Sequence, residues 1–168
     1  MRTETVTENE SCRQARIDIV PMRPEDYDAV RALWMTIRGF GIRALDDSRE
    51  DIERFIRRNP TTSVVARDGQ KIVGAILCGS DGRQGSLYHV CVAKEYRRRG
   101  IGTHMVGFCM HQLRAMGINK VALIAFTDND AGNAFCNQIG WTRRGDVNYY
   151  EFVLNEKNIT RLIGEETD

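Results

Sequence analysis

The sequence predicts a single mixed α/β domain, with helices flanking one central sheet. Three observations carry this expectation. The chain has 168 residues, the size of one ordinary domain. Hydrophobic residues make up 42% and charged residues 28%, the balance of a chain that buries a core. The hydrophobic period switches repeatedly between helical and strand spacing, with no internal repeat and no low-complexity linker.

The elements read as follows. Residues 1–15 form a loose polar tail, and Ile17 to Val20 alternate as a short strand ended by Pro21. Pro24 opens a helix with Tyr27, Val30, Leu33, Trp34 and Ile37 on one face, stopped by Gly39 and Gly41. After a loop, Arg43 to Asp47, Ser48 and Asp51 resemble a capping box with Asp in place of Glu. Ile52, Phe55 and Ile56 stripe the helix that follows, and Asn59-Pro60 ends it. Ser63 to Ala66 and Ile72 to Leu77 pair through an Asp68-Gly69 turn. Asp81-Gly82 is ordinary turn chemistry, and Leu87 to Val92 completes the meander. Met105, Phe108, Cys109, Leu113 and Met116 mark a helix that ends at Gly117. The apolar run Val121 to Phe126 is expected as a buried central strand. Asp128 to Asp130 caps a short helix ending at Gly140. Trp141 to Arg144 and Tyr149 to Leu154 are expected as two closing strands, and Ile159, Leu162 and Ile163 as a terminal helical turn. One of Tyr149 and Tyr150 is expected to edge a binding site while the other packs, since neighbours on a strand face opposite ways. Trp34 and Trp141 are expected in the core.

Charge and cysteine usage narrow the function. The 24 Lys+Arg balance 23 Asp+Glu, leaving +1, so no global field draws the chain to nucleic acid or an anionic membrane. No apolar run approaches the ~20 residues of a membrane span, and residues 1–15 lack the apolar segment of a secretory signal. The five cysteines, Cys12, Cys78, Cys91, Cys109 and Cys136, are scattered and never spaced C-x-x-C. Neither a disulfide framework nor a zinc site fits, and His89, His104 and His111 do not cluster with them. No metal is therefore expected, and a reducing, cytoplasmic compartment is.

The most informative residues are Arg97-Arg98-Arg99-Gly100-Ile101-Gly102, between a strand and a helix. A helix start carries unpaired N–H groups and the positive end of the dipole. Glycines let a ligand approach the backbone, and arginines add charge for phosphate. The turn suits a phosphate or pyrophosphate. It is not the dinucleotide fingerprint, since Met105 holds the third glycine position, and no Gly-Lys-Ser/Thr makes it a P-loop. Nucleic acid is disfavoured because no stacking aromatics flank the arginines. A solvated basic turn is the plain structural alternative.

Val90-Cys91-Val92 followed by Tyr96-Arg97-Arg98-Arg99-Gly100-Ile101-Gly102 resembles the R/Q-x-x-G-x-G/A acyl-CoA motif of the GNAT superfamily of N-acyltransferases. Asn129 falls where that family places an asparagine after its fifth strand. Phe135-Cys136-Asn137-Gln138-Ile139-Gly140-Trp141 resembles the family's F-Y-x-x-x-G-F segment. Asp46-Asp47-Ser48, Asn59-Pro60, Gly79-x-Asp81-Gly82-Arg83 and Tyr88-His89 together resemble a bacterial branch of unknown acceptor. The likeness spans residues 17–154 and divides the chain into a tail (1–15), a GNAT domain (16–154) and a C-terminal extension (155–168). It implies a central mixed sheet of about seven strands with about four helices.

The resemblance implies an N-acetyltransferase. Acetyl-CoA sits in a gap between splayed strands, and an acceptor amine, on a small molecule or a protein, attacks the thioester directly. The amides of Arg97, Arg98, Arg99, Gly100, Ile101, Gly102 and Thr103 then hold the pyrophosphate, and Val90, Cys91 and Val92 present backbone groups to pantetheine and thioester, with Asn129 and Phe135 completing the cofactor site. A protonated alkylamine, with a pKa of ~10.4, must lose a proton before it attacks. The family's base positions fall on Tyr88 and Ser86, and a third, usually glutamate, falls on Ile124. His89 has the right chemistry, but strand alternation points it away from Tyr88 unless a bulge intervenes; its alternative is a structural histidine. The position of the family's tyrosine acid is Cys136, read here as helix packing in preference to a substitute acid. Arg43, Asp46 and Asp47 lie in the loop where the family usually binds its acceptor; Arg43, Asp46 and Tyr149 are the acceptor-side candidates, with helix capping the alternative for Asp46 and Ser48. A homodimer through the last strands is an open option, and a non-catalytic CoA-binding module is the rival function.

Overall fold

The computed structural model describes residues 16–164. The expected tail (1–15), with Cys12, and residues 165–168 lie outside the described residues. Strand β1, Ile17–Pro21, leads through a 3-10 turn at Pro24–Asp26 into helix α1, Tyr27–Trp34. Strand β2, Gly41–Arg43, precedes helix α2, Arg49–Arg58. The meander is β3, Val64–Asp68, β4, Lys71–Ser80, and β5, Gly85–Val92. Helix α3, Ile101–Ala115, β6, Val121–Leu123, α4, Asp130–Gln138, and β7, Thr160–Leu162, complete the chain.

Local chemistry explains the boundaries. Ser48 caps α2, its Oγ accepting from Asp51 N at 3.3 Å. Asp81 Oδ1 accepts from the amides of Arg83 and Gln84, both at 2.8 Å, which turns β4 into β5. Gly117, at φ 78°, lies just beyond the last turn of α3.

Five strands form one sheet in the order β1-β3-β4-β5-β6; only β5 and β6 run parallel. Both faces are covered. Along β4, Ala75 and Leu77 join Val30, Trp34, Ile52 and Ile56 of α1 and α2, while Val73, Ile76 and Cys78 join Met105, Cys109 and Leu113 of α3. From Ala75 to Cys78 residues alternate between the two apolar layers, so this part of β4 reads as a continuous hydrophobic run.

The expected helices and the mixed sheet are present, and the C-terminal expectations need correction. Among the described residues there are seven strands, but β2 and β7 form a separate two-stranded sheet. Trp141–Arg144 and Tyr149–Leu154 form no strand. Their alternation fits a pleat, but a strand needs a ladder partner, and Arg144 instead folds onto Asp146, with bonds of 2.6 and 2.7 Å. Tyr150 does not pack; it is 85% exposed. The expected helical turn at Ile159–Ile163 is instead β7, because pairing Thr160–Leu162 with Gly41–Arg43 satisfies main-chain groups of both segments. The apolar run at Val121 is an edge strand rather than a central one: it pairs only over Val121–Leu123, and Ile124 and Phe126 are exposed. Trp34 is fully buried, whereas Trp141 is half-buried against the α3 layer.

Candidate active site

Between β5 and α3 the chain passes a 3-10 turn, Lys94–Tyr96, and then the arginines. Arg98 and Gly100 have φ of 63° and 76°, which turns the chain sharply into the helix. The first bond into α3 is His104 N to Gly100 O, at 3.0 Å. Among the described residues no protein group accepts from the amides of Arg98 through Thr103. A row of donors without a protein acceptor therefore lies at the positive end of a 15-residue helix. The three arginines divide their work. Arg97 Nε donates to Val92 O at 3.0 Å. Arg99 donates to Glu95 O at 3.3 Å and lies over the Tyr96 ring at 5.0 Å. Both brace the turn, while the Arg98 side chain has no such partner among the described residues. Gly102 allows close packing: a Cβ there would sit 3.3 Å from the Phe135 ring of α4.

Beside the turn the sheet opens. The parallel ladder of β5 and β6 covers only Gly85–Leu87 against Val121–Leu123. Beyond Leu87, the outer edge of Tyr88–Val92 has no strand partner among the described residues, leaving backbone groups for a ligand in the gap. Val90 and Val92 pack toward α3, and Cys91 toward α1. Burial pushes the Cys91 thiol up to about 12, so it is no nucleophile near neutral pH.

A β-bulge sits where the ladder ends. Tyr88 pairs with Leu77 and Cys91 with Ala75, so His89 and Val90 together oppose Ile76. His89 takes φ 50°, rare for a side-chain-bearing residue. Strict alternation would place Tyr88 and His89 on opposite faces, and the bulge turns both toward α1 and α2. Tyr88 meets Phe55 edge-on at 6.0 Å, and His89 lies 4.6 Å from Trp34 and 5.4 Å from Phe40. His89 Nε2 is 2.7 Å from Asp47 Oδ1. Tyr88, 49% exposed, lines a cleft of about 270 Å³ with Phe55, Asn59 and Ser86.

The acceptor-side candidates also meet. Arg43 pairs with Asp46 at 3.3 Å and with Glu151 at 2.9 Å, and Tyr149 OH donates to Glu151 at 3.2 Å. Arg43, Asp46 and Glu151 line a second cleft of about 350 Å³. Asn129 caps α4, its Oδ1 accepting from Gly132 N at 2.9 Å. Cys136 is half-buried within α4, and desolvation raises its thiol pKa above the ordinary value, as for a packing residue. His104 and His111 are exposed on α3.

Residues 27–141 match the Acetyltransferase (GNAT) family. The chain belongs to that family. This GNAT protein is 35% identical over 115 residues to an acetyltransferase of Pectobacterium atrosepticum, covering 68% of this chain and 80% of the relative. The fold of Ard1 from Thermoplasma volcanium superposes with a TM-score of 0.63 at 21% identity, over 74% of this chain and 81% of that one. AAC(6')-Iy bound to the bisubstrate analogue CoA-S-monomethyl-acetylneamine gives 0.63 at 15% identity, over 82% of this chain and 99% of that one. The GNAT chain is thus an acyltransferase, and the expected fold class holds. Among its described residues no helix is long and apolar enough to cross a membrane.

Sequence reasoning set Asp47 in the acceptor-side loop without pairing it to His89, and it did not single out Phe40, Glu151 or Asn158. Nothing in the sequence pairs Asp47 with His89 beyond their shared presence in the branch-like pattern, because 42 residues separate them.

Proposed function

We propose that the protein transfers an acetyl group from acetyl-CoA to an amine by direct attack, with His89 as general base. The single observation that carries this reading is the bulge, which turns His89 toward Trp34, Phe40 and Asp47 at the point where β5 and β6 part. The free amides of Arg98 to Thr103 fit a pyrophosphate, and the Arg98 side chain is available to it. An amide near Cys91 or Val92 polarises the thioester carbonyl. The amine nitrogen bonds to the carbonyl carbon as its proton passes to the His89 ring. The C–S bond then breaks, and CoA leaves as a thiolate that takes a proton from solvent. A neighbour of the same fold bound to a CoA–aminoglycoside bisubstrate analogue supports both an acyl-CoA donor and an amine acceptor.

Release of free thiol from acetyl-CoA, followed while an amine panel is added, tests the reading. Release that depends on one class of amine supports it; binding without release at any amine favours a CoA-binding module. The free thiols at Cys78, Cys91, Cys109 and Cys136 support a reducing, cytoplasmic setting. A homodimer through residues 147–154 is supported by the exposed Tyr150, Phe152 and Leu154, and light scattering is expected to give twice the chain mass.

Cys136 has no part in this scheme, because a thiolate leaves readily without an acid. Cys136→Ala is expected to keep turnover within about tenfold of the parent, short of the ~10²–10⁴ that a general acid contributes. Steady-state rates at saturating acetyl-CoA check this. A hundredfold loss with stability and CoA binding intact would assign Cys136 the acid role.

A further inference from the structure

We propose that Asp47 is a positioning residue: its carboxylate fixes the tautomer of His89 so that Nδ1 receives the acceptor's proton, and the β7 segment holds that carboxylate in place. This rests on the reading of His89 as the base.

Every contact of Asp47 is committed. Oδ1 faces His89 Nε2 at 2.7 Å, Oδ2 accepts from Arg43 N at 2.7 Å, and the backbone oxygen accepts from Tyr27 OH at 2.8 Å. The residue is 6% exposed. A carboxylate only accepts, so Nε2 carries the hydrogen and the neutral ring keeps its lone pair on Nδ1. Among the described residues the one buried side-chain polar atom without a partner is Trp34 Nε1. Nδ1, which makes no hydrogen bond there, is therefore not fully sealed from solvent, although the His89 side chain is only 16% exposed. Asp47 is the charged group bonded to the ring, which also packs against the uncharged Trp34 and Phe40.

The segment carrying Phe40 and Asp47 is stitched to the C-terminal strand. Leu45 N and Asp46 N donate to Asn158 Oδ1 at 3.0 and 3.2 Å, and Ala44 N donates to Ile159 O at 2.9 Å. Gly41–Arg43 pairs with Thr160–Leu162. Gly39 N donates to Ile163 O at 2.8 Å, and Ile163 N to Phe40 O at 2.9 Å. None of these bonds belongs to the five-stranded sheet, so the C-terminal segment serves the histidine rather than the main ladder.

The test is nitrogen-15 NMR of the histidine side chains in the full chain, with His89 assigned by the loss of its signals in His89→Gln, alongside amine-dependent thiol release. The wild type is expected to show His89 protonated at Nε2. In Asp47→Asn the remaining oxygen still accepts from Arg43 N, which leaves the NH₂ facing Nε2. The tautomer then reverses, and turnover falls about tenfold to a hundredfold. The KM for acetyl-CoA and the thermal shift with CoA stay unchanged. Asn158→Ala is expected to lower turnover in the same direction by less. A wild-type ring protonated at Nδ1, or wild-type tautomer and turnover in Asp47→Asn, would overturn the proposal. Full turnover in His89→Gln would instead remove the base reading, and the two failures are distinct. If Asp47→Asn does not fold, the wild-type tautomer still decides.

Discussion

His89→Gln is expected to lower amine-dependent turnover by about 10²- to 10⁴-fold, the contribution of a positioned base. Glutamine is similar in length and keeps a donor for Asp47 Oδ1, so the pairing that steadies the α1–α2 loop survives. It cannot take up a proton. A general base acts only when unprotonated, so an acid limb that His89 causes is expected to flatten in the variant. Rates across the pH range, at saturating acetyl-CoA, check both points. An unchanged profile would return His89 to packing between Trp34 and Phe40 and leave Tyr88 or a water as the proton route.

Gly100→Val is expected to abolish CoA binding. In the parent, CoA or acetyl-CoA is expected to raise the melting temperature, because a ligand that binds only the folded state stabilises it by mass action. Gly100 caps α3 at φ 76°, ψ 1°, and its Cα side is open, the nearest atom to an added Cβ being His104 Cε1 at 3.7 Å. Valine at that φ costs of order 1–3 kcal/mol and places methyl groups beside the free amides. The variant therefore melts lower, and CoA no longer shifts it. A parent that stays folded yet shows no shift at millimolar CoA would remove the acyl-CoA donor from the account.

What was legible in the sequence was local. The Ser48 cap, the Asp68-Gly69 hairpin and the Arg97–Gly102 turn each rest on residues within a few positions of one another, where side-chain chemistry dictates backbone shape. Long-range pairing was not legible. Trp141–Leu154 has the alternation of strands, but alternation says nothing about whether an edge is available to pair. Thr160–Leu162 has too few residues to show a period, and becomes a strand only because Gly41–Arg43 lies alongside. The extra residue of the bulge breaks the two-residue period of β5, so a rule built on that period misplaced His89. Asp47 was legible as part of the acceptor-side loop, but its pairing with His89 exists only once the α1–α2 loop is folded against β5.

Direct transfer to an amine is the central claim, and following the acetyl group itself tests it most directly. The protein is incubated with isotope-labelled acetyl-CoA and an amine panel, and both the small molecules and the intact chain are weighed by mass spectrometry. The expected result is label on the acceptor nitrogen and none on the protein, in keeping with a Cys91 thiol pushed up to about 12. Label held on a cysteine of the chain, or labelled acetyl-CoA left intact with every amine, would contradict it.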